Sequence, residues 1–249
     1  MKSPAKKSTA ASRRAPLVLI TGASQGIGEA LALAYATAFP GAKLALVARN
    51  GANLEKVAAR CERLGADAHG FVCDVTDDDA VSRLPAAVTA VFRRAPDIVI
   101  NNAGRFTPAT LSDTPPALFD ELLAANLRSA YLVTRAFLPA LQKRRSGDLV
   151  FISSICGKIG LPRCAAYTIA KHGVTGLAAA LRAETKGTGL RVLAIHPGAT
   201  ETPIWAGSNV PKEKLMRAPS VAAAVVALTS LPPDTVAEDI LLRPSPGDF

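Results

Sequence analysis

Short apolar runs alternate with longer helix-like stretches from Leu17 to the end of the chain, with no linker-like gap between them. The apolar runs predict strands at 17–21, 43–48, 68–73, 97–101, 148–153, 190–196 and 239–243. The longer stretches predict helices at 26–38, 51–64, 77–93, 116–143, 164–187 and 219–230. Leu17-Val18-Leu19-Ile20 is apolar at every position, as in a parallel strand buried on both faces. Regular alternation of strand and helix favours one parallel sheet covered by helices on both faces. The expected fold is therefore α/β, a doubly wound parallel sheet of about seven strands. At 249 residues and 49% hydrophobic content the chain can bury a sizeable core, and residues 17–249 read as a single domain.

The first predicted strand runs into Thr21-Gly22-Ala23-Ser24-Gln25-Gly26-Ile27-Gly28, and an Ala- and Leu-rich helix follows. Glycines let the backbone bend tightly and let a pyrophosphate approach. The helix start then offers free N–H groups and the positive end of its dipole. The spacing is G-x-x-x-G-x-G, which differs from the more common G-x-G-x-x-G dinucleotide fingerprint. The second strand ends in Arg49-Asn50, where an acid would suit an adenosine ribose. An arginine instead suits a 2′-phosphate, so NADP is expected rather than NAD. A surface arginine closing a strand is the plainer alternative. The third strand ends in Asp74-Val75, with Asp74 placed to meet an adenine amino group. The fourth runs into Asn101-Asn102-Ala103-Gly104, a tetrapeptide that fits a turn as well as a ligand site.

Tyr167 and Lys171 stand four residues apart, on one face of a predicted helix, with Ser154 upstream. A cation beside a phenol favours the phenolate and lowers its pKa. Such a tyrosine gives a proton to a carbonyl oxygen or takes one from an alcohol, and a serine hydroxyl can hold that oxygen. A Tyr and Lys at this spacing also occur on many solvated helices, so the pair alone decides nothing.

Together these pieces resemble the short-chain dehydrogenase/reductase family in its single-domain form. The matching residues are the Thr21–Gly28 turn, Asp74, 101–104, Asn126, Ser154, Tyr167, Lys171, Pro197-Gly198 and Thr202, in the family's order. The resemblance implies a Rossmann-like fold and NADP(H)-dependent oxidation or reduction of a carbonyl or secondary alcohol. Tyr167 would be the general acid/base, Lys171 would lower its pKa and hold the nicotinamide ribose, and Ser154 would orient the carbonyl. Asn126 would anchor a water in a proton relay. Pro197 and Gly198 would pack near the nicotinamide, with Thr202 at its carboxamide. Cofactor contacts are expected at Thr21, Gly22, Ser24, Gln25, Gly26, Ile27, Gly28, Arg49, Asp74, Val75, Asn102, Ala103 and Gly104 as well. A non-catalytic NADP-binding redox sensor of the same fold is the competing class. The intact proton-transfer set speaks against it.

Substrate choice is expected in Arg105–Leu111, Ile155–Ala166 and the segment after Gly198, which contains Pro203-Ile204-Trp205 and then Asn209–Arg217 and looks like a short lid punctuated by Gly207 and Pro211. Ile155, Ile159, Leu161, Ile204 and Trp205 suggest a mostly apolar pocket, and the substrate is expected to be a hydroxy acid or a small apolar ketone. The ending Ile240–Phe249 resembles the branch of the family acting on serine and other 3-hydroxy acids. A homodimer or homotetramer is expected through the helices at 116–143 and 164–187, where alanines at 178–180 permit close packing.

The first sixteen residues carry Lys2, Lys6, Lys7, Arg13 and Arg14 and no acid, which is five of the net charge of +9. They read as a disordered basic tail, with a polyanion contact and a targeting peptide as alternatives. No aromatic interleaving points to nucleic acid. No apolar run is long enough for a membrane span, and a cytoplasmic location is expected. Cys61, Cys73, Cys156 and Cys164 form no C-x-x-C pair and read as free thiols. His69, His172 and His196 are scattered, so no metal site is expected.

Overall fold

The computed structural model describes residues 15–205, 210–245 and 247. The basic tail expected over 1–16 lies outside them, apart from Ala15 and Pro16. Elements appear in the order β1 (Leu17–Thr21), α1 (Gly26–Ala38), β2 (Lys43–Ala48), α2 (Gly51–Arg63), β3 (Asp67–Val72), α3 (Asp78–Phe92) and β4 (Ile98–Asn101). There follow α4 (Pro116–Leu123), α5 (Ser129–Arg144), β5 (Gly147–Ile152), α6 (Ala165–Thr185) and β6 (Leu190–Pro197). The short strands β7 (Thr200–Glu201) and β8 (Met216–Arg217) precede α7 (Ala218–Thr229) and β9 (Asp239–Leu242).

Seven strands form one parallel sheet in the order β3-β2-β1-β4-β5-β6-β9. Alternate side chains of each strand feed two cores. Val18 and Ile20 point to the layer of α1, α2 and α7, while Leu17 and Leu19 point to that of α3, α5 and α6. This is why β1 is apolar at every position: a strand with helices on both faces has no wet side. The outer strand β3 leaves His69, Gly70 and Val72 exposed.

The helix expected over 116–143 is in fact two, joined by a π-helical turn at Ala124–Arg128. Residue periodicity does not reveal one extra residue in a turn, because the apolar face resumes beyond it. Such turns occur often at functional sites, and this one holds Asn126. The segment expected to form a lid is partly stitched down. Lys212–Lys214 form a 3-10 turn, and Met216–Arg217 pair with Thr200–Glu201. Residues 206–209 lie outside the described ones.

Candidate active site

The order of strands reverses at β1, with β2 on one side and β4 on the other. Open α/β sheets leave a crevice at such a point, beyond the strands' C-terminal ends. Here it is a cleft of about 970 Å³, walled by the segments that follow β1 to β6.

At one end lies the glycine turn. Gly26 adopts φ +60°, a conformation that costs a side chain dearly. A Cβ on Gly28 would sit 2.1 Å from the Gly22 carbonyl oxygen, so α1 can start only where it does with glycine there. The Asn102 side chain donates to the Thr21 and Gly22 carbonyls at 2.8 and 3.3 Å. The Thr21 hydroxyl accepts from the Asn102 and Ala103 amides at 3.0 Å each. Thus Thr21 and Gly28 shape the turn without lining the cleft, whereas Gly22, Ser24, Gln25, Gly26 and Ile27 line it. Gln25 provides no side-chain cap to α1, which leaves the helix's first N–H groups to be satisfied from outside.

Beyond β2, the Arg49 side chain is 79% exposed, with Asp74 at 3.9 Å. Asp74 is engaged by the Thr76 amide and hydroxyl, at 2.9 and 2.8 Å. The Thr76 amide holds its pKa below the ordinary carboxylate value against the opposing effect of burial. Asp74, Val75, Asn102, Ala103 and Gly104 all reach the cleft wall, and so does Asn53, a residue the sequence reading passed over. Its signal was its place in the first turn of α2, where its amide donates to the Asn50 side chain at 3.0 Å.

Ser154, Tyr167 and Lys171 share another part of the cleft, whose wall also includes Pro197 and Gly198, while Thr202 packs against the glycine turn, 3.3 Å from where a Gly26 Cβ would sit. The Ser154 hydroxyl accepts from the Cys156 amide at 3.1 Å, and its carbonyl accepts from the Gly157 amide at 2.8 Å. Gly157 has no room for a Cβ, which would come within 2.4 Å of the Ser153 hydroxyl. The turn carrying Ser154 therefore packs directly on α6, which carries the other two. Lys171 is buried and donates to the Ile152 carbonyl at 3.0 Å. Its ammonium lies 5.5 Å from the centre of the Tyr167 ring.

The expected lowering of the Tyr167 pKa by Lys171 is not what this arrangement gives. Burial raises the phenol above its ordinary value, and the Ser154 hydroxyl opposes that only in part. Burial likewise brings Lys171 down to about 8. The surrounding protein penalises the charged form of both groups, and the ammonium directs its hydrogen bond to Ile152 rather than to the phenol. The Tyr167 phenol is thus neutral in this state.

Asn126 is 2% exposed and stands behind the cleft wall, not on it. Its amide nitrogen donates to the Arg105 and Leu122 carbonyls at 2.8 and 2.9 Å, and its oxygen accepts from the Arg105 amide at 3.3 Å. The next residue, Phe106, meets Tyr167 edge-to-face with ring centres 5.0 Å apart.

A family model described as short chain dehydrogenase matches residues 16–213. The chain belongs to this family. A sepiapterin reductase of Chlorobaculum tepidum is 33% identical over 239 residues, covering 94% of this chain and 98% of its own. A D-threitol dehydrogenase of Mycolicibacterium smegmatis is 35% identical over 228 residues, covering 86% and 85%. Among solved structures, an alcohol dehydrogenase from the archaeon Thermococcus sibiricus, complexed with 5-hydroxy-NADP, superposes with a TM-score of 0.86. It is 29% identical, with 93% of this chain and 97% of that one covered. A metagenomic short-chain oxidoreductase in complex with NADP gives a TM-score of 0.81 at 30% identity, covering 94% and 99%. This chain is thus an oxidoreductase of the short chain dehydrogenase family.

Two features of this short chain dehydrogenase complete the site's surroundings. The Cys164 thiol is pushed up to about 11, by burial first and by the neighbouring Cys156 second, so it stays protonated and makes a poor nucleophile. His196 is fully buried, with its ring nitrogens 2.9 Å from the Asp239 carboxylate and 3.3 Å from the Ser154 carbonyl. Burial lowers its pKa despite the carboxylate. Asp239 is held at about 2: burial pushes it up, but Lys158, His196 and Arg182 together outweigh that. Among the described residues no cluster of His, Cys, Asp and Glu could hold a metal, and no helix is long and apolar enough to cross a membrane.

Proposed function

We propose that the chain is an NADP(H)-dependent oxidoreductase that interconverts a small carbonyl compound and its secondary alcohol. One observation carries this reading: Ser154, Tyr167 and Lys171 share a single cleft with the uncapped start of α1 and with Arg49. The residues suit the cofactor. The N–H groups of α1 would take the pyrophosphate, and the exposed guanidinium of Arg49 would take the 2′-phosphate. Pro197, Gly198 and Thr202 would flank the nicotinamide, and Lys171 would reach its ribose. That the two structural relatives above are complexes with 5-hydroxy-NADP and with NADP supports the same choice.

When bound, NADPH supplies the hydride. The chain's own part is positional and protonic. Ser154, fixed by the Cys156 and Gly157 amides, donates to the carbonyl oxygen and orients it. Tyr167 gives its proton to that oxygen as negative charge develops there. The raised pKa suits this direction, since a neutral phenol is the form that donates. Lys171 places a positive charge beneath the ring, which offsets part of the cost that burial sets on the resulting phenolate. Asn126 acts from behind, by holding the Arg105 backbone. Assembly as a homodimer or homotetramer fits the exposed Tyr131 on α5 and Ile169 on α6. Of the alanines at 178–180, Ala178 faces the core, and Ala179 and Ala180 are exposed.

The test is a panel of carbonyls and alcohols followed through NADPH absorbance, with wild type and Tyr167→Phe side by side. Turnover in wild type and its loss in the variant support the reading. NADPH binding with no turnover on any compound would replace it with the non-catalytic sensor.

A further inference from the structure

The cleft's aromatic side chains among the described residues are Phe106, Tyr167 and Trp205, and Leu161 and Ile204 add aliphatic surface. Phe106 presents to Tyr167 at an interplanar angle of 75°. A flat group whose carbonyl reaches Tyr167 would therefore pack against the Phe106 ring. Aromatic pairs of this kind gain energy beyond the area they bury.

Charge is accounted for differently. Among the described residues three cations line the cleft: Arg49, Arg105 and Lys171. Arg49 lies at the far end, after β2. Lys171 is buried and bonded to the Ile152 carbonyl. Arg105 is the cation at the substrate end, and its guanidinium is ion-paired to Glu121, which lines the same wall. Arg163, the other arginine of this region, does not reach the cleft wall. A substrate carboxylate would meet apolar rings and an arginine already neutralised by an acid. Burying a charge without a partner is costly, and Glu121 would add repulsion.

Resting on the reductase reading, we propose that the substrate is an uncharged carbonyl compound bearing a flat aromatic or heteroaromatic group next to the carbonyl, with Phe106 as the residue that selects it. This decides between the two classes the sequence left open, against the hydroxy acid. In the reduction, a hydride from NADPH forms the new C–H bond, the carbonyl π pair moves to oxygen, and the Tyr167 proton forms the O–H bond. The products are NADP⁺, the neutral aryl carbinol and the Tyr167 phenolate, which takes its proton back from solvent.

The experiment compares three probes with NADPH: acetophenone, its carboxylate twin phenylglyoxylate, and butanone. Wild type should favour acetophenone over phenylglyoxylate by at least about a hundredfold in kcat/KM. Phe106→Ala should cut the acetophenone-to-butanone ratio about tenfold or more, with Phe106→Leu in between. Melting temperature and NADPH affinity of each variant serve as folding controls. Glu121→Ala, which frees Arg105, should narrow the gap between acetophenone and phenylglyoxylate about tenfold. Preference for phenylglyoxylate in wild type, or an aryl-to-alkyl ratio unmoved by Phe106→Ala in a folded variant, overturns the assignment while leaving the reductase reading intact. If no carbonyl oxidises NADPH, the reductase reading falls and takes this inference with it.

Discussion

Asn126 closes its carboxamide on both backbone groups of Arg105, accepting from the N–H at 3.3 Å and donating to the C=O at 2.8 Å. The same nitrogen reaches the Leu122 carbonyl across one turn of helix at 2.9 Å. One side chain thus joins the π turn to the loop after β4, and that loop carries Phe106 to the face of the site. Both N–H bonds of the Asn126 carboxamide are thus taken by protein carbonyls. A clamp is what the geometry supports.

Asn126→Ala would leave the partly buried Arg105 N–H and C=O without their partner and would take a donor from the buried Leu122 carbonyl. An unsatisfied buried group costs about 1–3 kcal/mol, so a stability loss on the order of 2 kcal/mol is expected by urea denaturation. KM for the carbonyl should rise more than Kd for NADPH, because the released loop bears substrate contacts. Equal effects on both would point to general loosening of the fold instead.

Tyr167→Phe removes one oxygen and keeps the ring, so packing against Phe106 should survive. General acid catalysis contributes roughly 10²–10⁴ in rate, and kcat should drop by about that factor with NADPH affinity little changed. Near wild-type turnover on a good substrate would exclude Tyr167 as the proton donor.

Lys171 makes stability depend on pH in a defined direction. Its pKa in the folded protein is about 8, against an ordinary value of 10.5. Between those values the unfolded chain holds the proton more often than the folded one, so stability rises with pH there. The cost of the buried ammonium is fully present below pH 8, on the order of 3 kcal/mol, and is relieved as pH climbs toward 10.5. Lys171→Met has no such charge. Urea denaturation of the cofactor-free proteins should show wild type gaining on the variant from pH 8 upward. A difference that stays flat across this range contradicts the burial argument.

Arg49→Asp should exchange a charge-assisted hydrogen bond to the 2′-phosphate for repulsion. Such a bond contributes about 1.5–3 kcal/mol, or roughly ten- to a hundredfold in binding. The ratio of kcat/KM for NADPH over NADH should fall by at least that much. If the preference holds, the guanidinium at the end of β2 has no part in cofactor choice.

What the sequence by itself determined is what depends on near neighbours in the chain. Strand positions followed from apolar runs such as Leu17–Ile20, since burial on both faces demands apolar residues at every position. The turn at Gly22–Gly28 followed from glycine spacing, and the shared face of Tyr167 and Lys171 from helical periodicity. Tertiary structure decided whatever depends on contacts between distant segments. It set Asn126 behind the wall, because a π turn shifts register without changing the apolar pattern. It made Thr21 and Gly28 builders of the turn rather than lining, through Asn102 from another strand. It joined Arg105 to Glu121 and brought Phe106 to Tyr167. It also reversed the expected direction of the Tyr167 pKa, because desolvation is set by all the protein packed around a group, and spacing along one helix reports only a single neighbour.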